Sequence, residues 1–81
     1  PGFAKFVSDG KVRTVKLYQR LGDKFLPFYS LDLSDPRSQH LQIQPGEYQV
    51  HYPKGPGQSA SSEFVKLFRI TATEVTQIDI N

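Results

Sequence analysis

The sequence predicts an all-β domain, an antiparallel β-sandwich of about seven short strands in a Greek-key layout. Three observations predict it. Leu41-Gln42-Ile43-Gln44 and Tyr48-Gln49-Val50-His51-Tyr52 alternate apolar and polar residues on either side of Pro45-Gly46, the period of half-buried strands meeting at a turn. Turn-forming Gly, Pro, Asp and Ser recur at short intervals along the chain. The 37% hydrophobic fraction contains no Trp or Met and draws on Val, Ile, Leu, six Phe and four Tyr. The β-branched and aromatic members of that set favour pleated sheet, and no stretch sustains a helical period.

Taken in order, Phe3 to Val7 and Lys11 to Gln19 flank Asp9-Gly10 and read as a first hairpin, with Val15 and Leu17 facing away from Thr14, Lys16 and Tyr18. Arg20 to Lys24 supplies a second turn, followed by the aromatic strand Phe25 to Leu31, whose phenylalanines are expected in the core. Pro27 lacks a donor for the ladder, which places that strand at an edge or at a bulge. Leu31 to Gln39 reads as a polar loop built on Asp32, Ser34, Asp35 and Pro36. Leu41 to Gln44 and Tyr48 to Tyr52 form a central pair, in which Pro45 presets one turn position and Gly46 supplies positive φ at the next. Lys54 to Ser62, rich in Gly, Pro and Ser, reads as a mobile loop. Glu63 to Ile70 is apolar on both faces, Phe64, Phe68 and Ile70 against Val65 and Leu67, as in a strand covered twice or packed against another module. After the turn Thr71 to Glu74, Val75 to Ile80 closes the domain with Ile78 and Ile80 inward. An open five-stranded barrel of the oligonucleotide-binding type is the alternative architecture.

Residues 1–81 are expected to form one domain, a fragment of a longer or processed chain, with Pro1-Gly2 read as a remnant. A chain of this size buries only about 60–65% of its unfolded surface, so the core must be thin. The absence of cysteine excludes disulfides and thiolate chemistry. No apolar run approaches the roughly 20 residues of a membrane span. The net charge of +2 is uneven: residues 1 to 30 hold six basic and two acidic side chains, and the remainder four and six.

Leu41-x-Ile43-x-Pro45-Gly46-x-Tyr48-x-Val50, then Phe68-x-Ile70, a polar turn and Ile78-x-Ile80, resembles the second half of small bacterial transthyretin-like and carboxypeptidase-regulatory-like modules. The resemblance spans roughly residues 40 to 81; the glycine-rich opening of those modules has no counterpart here. It implies a prealbumin-like sandwich serving as a spacer, docking surface or stabiliser within a secreted or cell-envelope protein. It also implies a structural corner at Pro45, Gly46 and Tyr48, the Tyr48 hydroxyl bonding to upstream backbone. A second resemblance, to the collagen-adhesin B-type repeats, implies an isopeptide bond between Lys5 and Asn81, although His51 or Tyr52 stands where that reaction needs an acid.

Catalysis needs convergent groups, and the candidates reduce to His40, His51, Ser34 and scattered carboxylates, with no nucleophile elbow, phosphate loop or zinc spacing. His51 is expected to face outward beside Gln49. Asp32, Ser34 and Asp35 read as turn or helix caps in preference to calcium ligands, since the glycine and distal glutamate of a calcium loop are absent. The expectation is a non-enzyme without cofactor or metal. Its partners would be neighbouring domains or another protein, met through Phe64, Val65, Leu67 and Phe68. An exposed Tyr18 beside Thr14 and Lys16 offers a flat face to a glycan as a first alternative. Lys11, Arg13, Lys16 and Arg20 offer charge to a nucleic acid as a second, opposed by the acidic remainder.

Overall fold

The computed structural model describes residues 1–10, 12–53 and 63–80. Among the described residues there are seven strands: β1 (Gly2–Ser8), β2 (Thr14–Leu21), β3 (Lys24–Asp32), β4 (Leu41–Ile43), β5 (Gly46–Pro53), β6 (Glu63–Ile70) and β7 (Val75–Ile80). They form two sheets, a three-stranded one ordered β4-β1-β7 and a four-stranded one ordered β3-β2-β5-β6. All pairs are antiparallel except β1 with β7, which runs parallel. The all-β sandwich is therefore the architecture, and the single open barrel is not.

Two expected hairpins are corrected. β1 does not pair with β2 across Asp9-Gly10; its neighbours are β4 and β7. Nor do β4 and β5 pair across Pro45-Gly46, because Ile43 lies against Gly2 while Gly46 lies against Ile70 in the other sheet. Both turns carry the chain from one sheet to the other. Alternation specifies which face of a strand is buried, and the same pattern serves a hairpin or a sheet-crossing corner. At the corner Gly46 adopts φ 150°, a conformation open to glycine and strained for other residues.

The polar connection after β3 contains a 3₁₀ turn, Pro36–His40, where a loop was expected. Asp35 caps it, its Oδ1 accepting from Arg37 N (2.9 Å), and Pro36 occupies the first turn where its missing donor goes unneeded. Ser38, fully buried, donates its hydroxyl to the Asp35 carbonyl (2.8 Å).

The core is lined by alternate residues of both sheets: Ala4 and Phe6 of β1, Val15 and Leu17 of β2, Tyr48, Val50 and Tyr52 of β5, Ile70 of β6, and Ile78 and Ile80 of β7. Three strands cannot cover four. Along β3 only Leu31 is buried; Leu26, Phe28 and Tyr29 are exposed by 44%, 43% and 53%. This corrects the expectation that Phe28 is core, and Phe25 is only half-buried. β3 is an edge strand with a bulge where Leu17 pairs with Tyr29 and Tyr18 with Pro27, so both readings of Pro27 hold and Phe28 is the extra residue.

Pro1 and Gly2 pack against the β6–β7 turn. Thr73 N donates to the Pro1 carbonyl (3.0 Å), and a Cβ on buried Gly2 would collide with the Thr71 carbonyl oxygen. Gly2→Ala must push β1 away from the β6–β7 turn, with an expected loss of about 1–3 kcal/mol measured by denaturant unfolding. The two buried tyrosines of β5 should respond differently to loss of the hydroxyl. Tyr48 donates to the Gln44 carbonyl (2.7 Å), whereas the buried Tyr52 hydroxyl has no partner among the described residues. Tyr48→Phe is expected to lower stability by about 1 kcal/mol, and Tyr52→Phe to leave it unchanged or raise it, in the same unfolding assay.

Candidate interaction surface

The outer face of the four-stranded sheet is built from the residues that alternate with the core: Lys16, Tyr18 and Arg20 of β2, Glu47, Gln49 and His51 of β5, and Val65, Leu67 and Arg69 of β6. Strand register aligns them in rows, since directly paired residues share a face. Lys16 pairs with His51 and His51 with Val65; Tyr18 pairs with Gln49 and Gln49 with Leu67. In the third row Glu47 bridges two strands, accepting from Arg20 Nη1 (2.6 Å) and Arg69 Nη2 (2.7 Å). Hydrogen bonds from Arg20 and then Arg69 hold the Glu47 carboxyl below the usual carboxylate range.

Tyr18 is half-buried. Its ring stacks on His51 at 4.1 Å between centroids, and His51 Nε2 lies 3.0 Å from Gln49 Oε1 while Nδ1 lies 3.8 Å from Glu63 Oε1. One face of the Tyr18 ring is thus occupied from within the chain. The residue also borders a depression of about 250 Å³ with Lys16, Pro27, Tyr29 and Ser30. His40, the other histidine, tilts against Phe3 at 4.5 Å.

The remaining candidate residues separate. Thr14, Lys16 and Arg13 are exposed, and Arg20 is committed to Glu47; Lys11 lies outside the described residues, as do Asn81 and the segment Lys54 to Ser62 that was expected as a mobile loop. Phe68 belongs with the interior, stacked on Tyr48 (5.5 Å) and edge-on to Phe6 (5.9 Å). Phe64 tilts against Tyr52 (5.5 Å) at the rim and stays 39% exposed. Val65 and Leu67 point outward, 50% and 70% exposed. They stand on an edge strand, so Glu63 to Ile70 is covered on its inner side only.

Asp32 and Asp35 act as turn acceptors. Asp32 Oδ1 receives the Ser34 hydroxyl (2.7 Å) and backbone N–H (2.9 Å), which lower its pKa, and Asp35 is lowered by its bonds from Arg37. No group of three or more His, Asp or Glu side chains converges among the described residues. No helix among them is long and apolar enough to cross a membrane.

No protein-family model matches this chain, and no curated protein matches it.

Sequence reasoning passed over Glu47 as the centre of the outer face. Its outward position was readable from Tyr48 and Val50, but its partners are 27 and 22 residues away and meet it only through the order β2-β5-β6. Because its folded pKa is depressed, Glu47 contributes stability that is present above its ordinary value of 4.5 and lost as pH falls through the lowered one. Glu47→Gln should flatten the acid limb of the stability curve between about pH 5 and pH 2, leaving the share due to Asp32 and Asp35, in urea titrations at stepped pH.

Proposed function

We propose that this domain is a non-catalytic accessory module that docks neighbouring domains of a parent chain, or a protein partner, through the edges of its four-stranded sheet. One observation carries the reading: both edge strands of that sheet expose large apolar side chains, Leu26, Phe28 and Tyr29 on β3 and Val65 and Leu67 on β6. Scattered apolar residues on a surface are ordinary, but those aligned along one strand form a patch that a partner can cover. The contrast with the middle of the outer face, where Glu47 is already engaged by both Arg20 and Arg69, supports placing the contact at the edges. The resemblance to transthyretin-like and carboxypeptidase-regulatory-like modules points the same way.

Amide-resolved hydrogen exchange tests it, comparing the domain alone with the domain joined to its chain neighbours. The expected result is a slowing of about tenfold or more, equivalent to roughly 1.4 kcal/mol, confined to β3 or β6. Unchanged exchange at both edges overturns the reading.

A further inference from the structure

Strand β6 reads Glu63-Phe64-Val65-Lys66-Leu67-Phe68-Arg69 before Ile70, and about Lys66 it is self-complementary when reversed. Phe64 maps onto Phe68, Val65 onto Leu67, and acidic Glu63 onto basic Arg69. We infer that β6 pairs antiparallel with β6 of a second copy, about a two-fold axis through Lys66, setting Glu63 against Arg69 and Val65 against Leu67 of that copy. This rests on the docking role of the β6 edge and names its partner.

The backbone has the parity this register requires. Leu21 and Lys24 close a two-residue hairpin and form a hydrogen-bonded pair. Alternate residues of a strand turn their N–H and C=O groups to opposite neighbours, and the bulge lies on β3 and not on β2. Tyr18 and Lys16 therefore address β5, Tyr48, Val50 and Tyr52 address β6, and Glu63, Val65, Leu67 and Arg69 turn their backbone outward. The Thr76 hydroxyl of β7 donates to the Arg69 carbonyl (3.1 Å), in agreement with that assignment. Glu63 with Arg69 and Val65 with Leu67 are then the pairs that exchange both N–H···O bonds, and the Arg69 carbonyl keeps a second lone pair for the new strand.

The other edges are blunted. β3 carries Pro27 and a bulge, β4 has three residues, and β7 is shorter than β6, six residues against eight. β6 contains no proline, glycine or bulge. Lys66 is the discordant residue, since the axis sets it against itself and like charges directly opposed are unfavourable. Its ammonium is drawn beneath the sheet to Asp79 and lies 5.9 Å from the centroid of the Tyr52 ring, which keeps the two charges on their own chains. Lys66 thereby makes the association weak and reversible. Arg69 bonds Glu47 through Nη2 and retains further donors for an incoming Glu63.

Sedimentation equilibrium of the 81-residue chain up to about 1 mM tests the pairing, with amide exchange at matching concentrations. A reversible dimer is expected, with protection of the Val65 and Leu67 amides rising as it forms. Glu63→Arg alone and Arg69→Glu alone should each weaken self-association by roughly tenfold, each variant first checked for the wild-type amide spectrum. An equimolar mixture of the two should associate as tightly as wild type, because each like-charge pair becomes an opposite-charge pair. A monomer at about 1 mM, or a mixture no tighter than the single variants, overturns the inference. If the chain stays monomeric yet β6 becomes protected beside its chain neighbours, docking stands and self-pairing falls; protection of β6 in neither setting overturns self-pairing and the docking role of the β6 edge, and protection of neither β6 nor β3 overturns docking altogether.

Discussion

The position of Tyr48 holds the two sheets in their relation. Its ring is fully buried, stacked on Phe68 and tilted against Phe28, and its hydroxyl reaches back to the carbonyl of Gln44 in the link from β4. One side chain thus joins the corner where the chain leaves the small sheet to the strands of the large one. A buried hydroxyl without that acceptor would be destabilising, so the bond constrains where β5 can begin. Burial also pushes the Tyr48 hydroxyl pKa upward, so the neutral, donating form persists in the folded state.

Once Tyr48 is inward, the period of two dictates the rest of β5. Val50 and Tyr52 follow it into the core, while Glu47, Gln49 and His51 must face out. Because β5 is a middle strand, its outward residues meet side chains from both neighbours. Glu47 can therefore serve Arg20 and Arg69 together, and His51 can pack on Tyr18 while approaching Glu63. The centre of the outer face is satisfied internally, which leaves Val65 and Leu67, one strand further out, without comparable cover.

Sandwich class, strand number and inward residues were legible because each is a local property of alternation and turn chemistry. Val15, Leu17, Tyr48, Val50, Ile78 and Ile80 are inward as their parity predicts. Partnership between strands was not legible. Asp9-Gly10 and Pro45-Gly46 look like hairpin turns and act as crossings, since what distinguishes the two is which distant strand completes the ladder. Parallel pairing of β1 with β7, separated by most of the chain, leaves no local trace. The exposure of Phe28 was hidden for a related reason: hydrophobicity marks a wish for burial, and whether burial is met depends on the width of the opposing sheet.

That width has unequal consequences at the two edges of the larger sheet. At β3 the surplus lies on the inward side, where Leu26, Phe28 and Tyr29 find no opposing strand, and burying the roughly half of each that is still exposed would return about 1 kcal/mol each. Its backbone edge is spoiled for strand addition by Pro27 and the bulge, so β3 can gain from a partner that packs on side chains and gains little from one that extends the sheet. At β6 the situation is reversed. The inner side is filled by Phe68 and Ile70, and what is spare is a regular backbone edge beside an outward apolar pair. The two edges therefore favour different kinds of contact, one through rings and one through backbone, and a single partner geometry would not satisfy both.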